Sequence, residues 1–124
     1  MTRILITGAA GFLGSHLVRY LRRERPDWEI TALDRLDEAA SMARLSPGES
    51  NFIWHDLRAP LRPQAIGCSE LQKPFDYIAH LAAASHVTRS VVDPLGFIAD
   101  NVMGTAHLLE YARSNVPKKL LYFS

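Results

Sequence analysis

Ile4-Leu5-Ile6-Thr7-Gly8-Ala9-Ala10-Gly11-Phe12-Leu13-Gly14 runs from an apolar, β-forming stretch into a glycine-punctuated turn, and Ser15-His16-Leu17-Val18-Arg19-Tyr20-Leu21 follows with helical periodicity. A buried strand, a tight turn and a helix N-terminus together make an anion site. The free N–H groups of the first helical turn point at the anion, and glycines let the backbone come close to it. Glycine spacing alone is weak evidence. Here the strand and helix are both present, and Asp34 closes the next apolar run about 20 residues beyond Gly14, as a dinucleotide site expects. A glycine-rich turn that binds nothing has no use for a third glycine inside the helix, where each costs roughly 1 kcal/mol relative to Ala.

Working outward, strand and helix patterns alternate along the whole chain. Strands are expected at 3–7, 27–33 with Asp34 at its end, 51–54, 75–81 and 118–123. Helices are expected at 12–24 (Phe12, Leu17, Val18 and Leu21 on one face), at 37–45, and from the Asp93-Pro94 N-cap and N1 pair to about Ser114. One helical turn fits near 64–68. This alternation predicts an α/β, Rossmann-like, doubly wound parallel sheet of about five strands in the order 3-2-1-4-5, as a single domain over 1–124. The ligand crevice of such a sheet lies at the carboxyl ends of its strands. The glycine turn, Asp34, Asp56 and the segment after His80 would therefore converge on one edge.

Bulk composition narrows the class. The 124 residues are 48% hydrophobic with a net charge of +1, which suits a soluble globular domain and gives no case for nucleic acid or membrane as a partner. The basic cluster Arg19, Arg22, Arg23 and Arg25 sits where the first helix should end, a position that favours cations. Cys68 is the single cysteine, so no internal disulfide forms and a reducing, cytoplasmic setting is expected. The histidines show no metal-ligand spacing, and His16 and His107 are expected to be partly exposed.

The spacing GxxGxxG after Thr7 resembles the short-chain dehydrogenase/reductase superfamily. His80-Leu81-Ala82-Ala83, Asn101-Val102-Met103-Gly104-Thr105 and Leu121-Tyr122-Phe123-Ser124 resemble its extended members, the NAD-dependent epimerase/dehydratase family acting on nucleotide sugars. Ala83-Ala84-Ser85-His86-Val87-Thr88-Arg89-Ser90 is similar to the 4,6-dehydratase branch. The resemblance covers the whole chain but only the first half or less of such an enzyme.

That resemblance implies roles. Gly8, Gly11 and Gly14 shape the turn, and the backbone of Phe12 and Leu13 meets the pyrophosphate. Asp34 accepts the adenosine ribose hydroxyls and repels a 2′-phosphate, favouring NAD over NADP, whereas Arg35 beside the ribose can welcome that phosphate. Asp56 accepts the adenine amino group with the Leu57 backbone beside it. Leu81, Ala82 and Ala83 line the path to the nicotinamide ribose, and Asp100 faces the cofactor. Ser85, His86 and Arg89 are positioned for the sugar or its diphosphate.

Plainer roles stand beside these. Asp34 fits a strand-end loop acid, Asp56 a cap for the turn that follows it, and Ser85 a turn cap. Arg89 fits a surface pair with Asp93, His80 a buried, hydrogen-bonded strand end, and Gly104 close helix packing.

Family chemistry also needs a Tyr-x-x-x-Lys pair, in which the lysine lowers the tyrosine pKa for proton abstraction. None of Tyr20, Tyr77, Tyr111 and Tyr122 has a lysine four residues on, and Ser124 is only a weak catalytic candidate. The chain thus reads as the cofactor-binding portion of a nucleotide-sugar epimerase or 4,6-dehydratase. The alternatives are a non-catalytic NAD(H)-binding module or an inactive fragment. An uncovered apolar strand at 120–123 and the 94–114 helix lead to an expected homodimer or other self-associated form.

Overall fold

The computed structural model describes residues 1–37, 40–85 and 87–123. Five strands, β1 (Arg3–Thr7), β2 (Glu29–Asp34), β3 (Asn51–Trp54), β4 (Tyr77–His80) and β5 (Lys119–Tyr122), form one sheet in the order β3-β2-β1-β4-β5. Every pairing is parallel, with Thr7 opposite Leu33 on one side and His80 on the other. The sequence-based order is therefore the observed one.

Both faces of the sheet are covered, which explains the near-continuous apolar strands. Ile4, Ile6, Ile30, Ala32 and Ala79 point to one face and pack with Val18 and Leu21 of α1 (Phe12–Glu24). Leu5, Leu33, Ile53 and Ile78 point to the other and pack with Leu108, Tyr111 and Ala112 of α6 (Gly104–Ser114). On the amino side of β4, two single turns, α2 (Pro63–Ile66) and α3 (Ser69–Gln72), bring Leu71 into that second core. Tyr111 donates its hydroxyl to Leu71 O at 2.8 Å. Burial pushes its pKa up to about 12.

Three expectations need correction. Phe12 is 67% exposed rather than part of the buried face of α1, which consists of Gly14, Ser15, Val18 and Leu21. The expected 37–45 helix reduces to one 3-10 turn, Met42–Arg44. Leu36 stands at φ 59°, outside the right-handed region, and Ser41 caps the turn by accepting the Ala43 N–H, so the backbone enters it from an extended residue. The long helix after Asp93 is not uniform either. It consists of α5 (Pro94–Ile98), a π-helical stretch (Ala99–Met103) and α6, and Gly104 N–H bonds to Ala99 O five residues back. The expected cap is in place, with Asp93 accepting the Gly96 N–H at 3.1 Å. A further helix, α4 (Val87–Val92), precedes it.

Candidate functional site

The strand order reverses at β1, which leaves a crevice between the loops after β1, β2, β3 and β4. It holds a cavity of about 120 Å³, open to solvent and lined by Gly8, Gly11, Leu33, Asp34, Arg35, Asp37, Ala40, His55, Asp56, Leu57, Arg58, Leu81, Ala82, Ala83 and Asp100. Of the cofactor residues expected from sequence, Phe12, Leu13 and Gly14 are not in this lining; they open α1 beside it. Ser85 and Arg89 are exposed and also lie outside it. His86 and Ser124 lie outside the described residues.

The three turn glycines divide the work. Gly8, at φ 70°, would place a Cβ 2.7 Å from Ala82 N, so only a bare Cα lets the β1 and β4 loops meet. At Gly14 a Cβ would fall 2.1 Å from Gly8 O, so the start of α1 packs directly on the turn. Gly11 differs: a Cβ there meets only Gly8 O, at 3.3 Å, and the residue lines the crevice. It is also the N-cap of α1, where no side chain caps the helix and no acidic residue enters the first turn. An anion placed there would meet backbone N–H groups of a first turn that carries no acidic side chain of its own.

Asp34 is buried at the end of β2. Its Oδ2 accepts the Ala10 N–H at 2.9 Å and its Oδ1 accepts the Leu36 N–H at 2.8 Å. The carboxylate thus pins the glycine turn to β2, and lone pairs remain on both oxygens for ligand hydroxyls. The loop-acid role is real, and it leaves ligand binding open. Asp56 does serve its own turn, accepting the Arg58 N–H at 3.0 Å and the Arg58 guanidinium at 2.6 Å. Burial opposes its charge, but the Arg58 hydrogen bonds outweigh that and hold the carboxyl below the ordinary range.

Arg35 crosses to the π-helical stretch and grips Asp100 with both terminal nitrogens, at 2.5 and 2.9 Å. Asp37 at 3.1 Å and Asp56 at 3.6 Å complete its surroundings. The Asp100 hydrogen bonds, above all, raise the Arg35 pKa against the opposing effect of burial.

The next π residue, Asn101, clamps the β4 loop: its Oδ1 accepts Ala84 N–H at 2.8 Å and its Nδ2 donates to Ala84 O at 3.0 Å. π-turns inside helices are often found at functional sites, and here two consecutive residues serve two walls of the crevice. Gly104 is buried where the helix passes Leu57, but a Cβ there would lie 3.4 Å from Leu57 Cβ, an ordinary contact, so the close packing expected of it does not require a glycine.

His80 is 2% exposed and fully engaged. Thr105 Oγ1 donates to Asn101 O, so it accepts from His80 Nε2 at 2.9 Å; Nδ1 then accepts from Thr7 Oγ1 at 2.6 Å. Thr7 Oγ1 in turn accepts the Ala82 N–H at 3.3 Å. The chain of bonds fixes the neutral Nε2–H tautomer, and burial brings the His80 pKa down to about 4. It is a structural histidine, as its strand-end position suggested.

Sequence reasoning missed Leu33, Asp37, Ala40, His55 and Arg58 as lining residues. Arg58 could have been found, because an arginine two residues after a capping aspartate reaches back to it. Among the described residues no group of three or more His, Cys, Asp or Glu could hold a metal ion. No described helix is long and apolar enough to cross a membrane.

Parallel order, reversal point and crevice define a Rossmann-like α/β domain. Comparison with known proteins carries this further. The model of the NAD dependent epimerase/dehydratase family matches residues 4–124. A probable dTDP-glucose 4,6-dehydratase of Sinorhizobium fredii is 42% identical over 113 residues, covering 90% of this chain and 31% of that protein. The solved dTDP-glucose 4,6-dehydratase of Streptomyces venezuelae, with NAD bound, superposes with a TM-score of 0.81 at 36% identity, over 96% of this chain and 38% of the other. A Thermus thermophilus UDP-glucose 4-epimerase in complex with NAD gives 0.80 at 31% identity, over 96% and 36%. The chain belongs to the NAD-dependent epimerase/dehydratase family and spans about a third of the length of the relatives it matches.

Proposed function

We propose that this chain is the NAD-holding portion of a nucleotide-sugar 4,6-dehydratase or 4-epimerase. The observation that carries the reading is the convergence of the Gly8–Gly11 turn, Asp34, Asp56 and Leu81–Ala83 on one crevice. The fit to a dinucleotide is local and physical. Gly11 offers a bare N-cap to a diphosphate, Asp34 retains acceptor capacity for ribose hydroxyls, and the small Ala82 and Ala83 let a ribose approach the β4 loop. Leu57, whose carbonyl is taken by His107 Nδ1 at 2.6 Å, keeps its wall of the adenine end fixed.

Bound there, NAD would supply a reversible hydride acceptor for C4 of the sugar. The residues of this chain bind and orient; the 124 residues contain no Tyr-x-x-x-Lys pair to move the proton. NAD is favoured over NADP because Asp34 stands at the ribose end and Arg35 is engaged by carboxylates. Self-association fits the exposed apolar side chains Val91, Val92, Leu95, Ile98 and Val102 along α4, α5 and the π stretch.

Calorimetric titration tests the cofactor. NAD should bind more tightly than NADP, Asp34→Ala should shrink that preference, and Gly11→Ala should weaken NAD about tenfold with the fold retained. Equal affinities in the unmodified chain would remove Asp34 from the ribose.

A further inference from the structure

We propose that Asp100 sets the choice between dinucleotides with and without a 2′-phosphate, by occupying the guanidinium of Arg35. The inference rests on the crevice being a dinucleotide site and assigns its specificity to a residue that has no need to touch the ribose.

Arg35 directly follows the acid at the end of β2, where a free guanidinium would receive a 2′-phosphate. Its planar fork binds one bidentate oxyanion well, and a carboxylate and a phosphate compete for the same donors. In this structure Asp100 holds both terminal nitrogens, at 2.5 and 2.9 Å. The side chains are 24% and 14% exposed, so solvent screens the pair only in part. Asp100 is the partner that decides. Asp37 reaches a single nitrogen at 3.1 Å from a more exposed position, and Asp56, at 3.6 Å, is held by Arg58 at 2.6 Å, whereas Arg58 comes no nearer to Asp100 than 3.7 Å. The lining also carries four carboxylates (Asp34, Asp37, Asp56 and Asp100) against two guanidinium groups. A phosphate dianion would enter a rim of its own sign with its natural receptor already filled. Asp100 is thus a positioning residue: it acts through Arg35.

The test is a calorimetric comparison of NAD and NADP on the 124-residue chain and its variants, read as the ratio of the two dissociation constants. Asp100→Asn keeps the shape and removes the charge; it should improve NADP relative to NAD by about tenfold. Asp100→Glu retains a carboxylate and should preserve the original ratio. Arg35→Ala combined with Asp100→Asn should lose the gain. An unmoved ratio in Asp100→Asn overturns the inference, and so does parallel weakening of both dinucleotides, the mark of a merely structural role. A gain that survives in the double variant also overturns it, since Arg35 would then be no intermediary. Asp100→Ser serves the same comparison should the Asn variant not fold. If the unmodified chain binds neither dinucleotide, the cofactor reading itself falls; if it binds NAD and the variant ratio stays fixed, only the Asp100 assignment falls.

Discussion

Arg3, at the amino end of β1, and Arg35, just past the carboxyl end of β2, are both partly buried guanidinium groups with several partners, but the partners differ in kind. Arg3 donates to the carbonyls of Glu70, Lys73 and Pro74 at 2.8–3.0 Å and to the carboxylates of Glu29 at 3.0 Å and Glu70 at 3.3 Å, and lies 4.4 Å over the Phe75 ring. Those carbonyls belong to the connection between β3 and β4, so Arg3 closes the lower end of the sheet. Arg35 donates its side-chain hydrogens to carboxylates, beside an open crevice. A guanidinium paired with backbone is committed to the fold. One paired with side-chain carboxylates at a cavity wall can be released by changing a single charge.

The contrast is broken most severely at its rigid end. Arg3→Ala would remove the side-chain partner of three carbonyls and of the Glu29 and Glu70 carboxylates, and should destabilise the chain by about 3 kcal/mol. The Arg3 hydrogen bond is the chief cause of the depressed Glu29 pKa, so that pKa should rise in the variant. Urea unfolding measures the first effect and carboxyl NMR titration the second. A loss below about 1 kcal/mol would mean that the carbonyls find water instead and that the two ends differ less than their partners suggest.

His80 joins Thr7 of β1 to Thr105 of α6, and its effect is next in size. The folded pKa is about 4 against an ordinary 6.5, so the unfolded chain binds more protons in the interval between them. Stability is therefore fully present above pH 6.5 and falls as the pH drops through that window. From pH 7 to pH 5 the loss should be about 2 kcal/mol. Denaturant midpoints at the two pH values test it, and His80→Gln should flatten the slope. An unchanged slope in that variant would locate the acid sensitivity elsewhere.

The part of this molecule that sequence revealed is the part built from local spacing. Thr7 to Gly14 and Asp34 announce a strand, turn, helix and strand end within one stretch, and the strand order follows from helices separating parallel strands. Asp93-Pro94 likewise declared its own cap. What stayed hidden depends on distant partners or on backbone detail. The Arg3 side chain is bonded to residues 26 to 71 positions away. Arg35 and Asp100 stand 65 apart, so sequence could offer Arg35 as a phosphate receptor but not show it occupied. The π stretch shares the apolar pattern of an α-helix, and only its hydrogen bonding separates the two. Phe12 matched the buried face by spacing, yet it opens the helix, where the core has not begun.

Asn101 tests how much the crevice wall depends on one side chain. Asn101→Ala removes the two bonds to Ala84 and should reduce stability by about 1 kcal/mol, with faster hydrogen exchange at the Ala84 amide. Unaltered exchange there would show the β4 loop to be held by Thr7 and Gly8 alone.

Arg58 should matter least for stability, and for that reason it sharpens the comparison best. Its side chain is 51% exposed and pairs with the carboxylates of Asp56 and Asp100. An exposed pair of this kind contributes little, so Arg58→Ala should shift stability by less than about 0.5 kcal/mol. The Asp56 pKa should nevertheless rise toward the ordinary range, because the Arg58 hydrogen bonds are what offset burial there. Carboxyl NMR titration reads that rise directly. With Arg58 gone, Asp56 is left to Arg35, which should bind it more closely than the present 3.6 Å and loosen its hold on Asp100. A stability loss above about 1 kcal/mol would place Arg58 with Arg3 as a fold-closing cation, and the division between the two ends of the sheet would no longer hold.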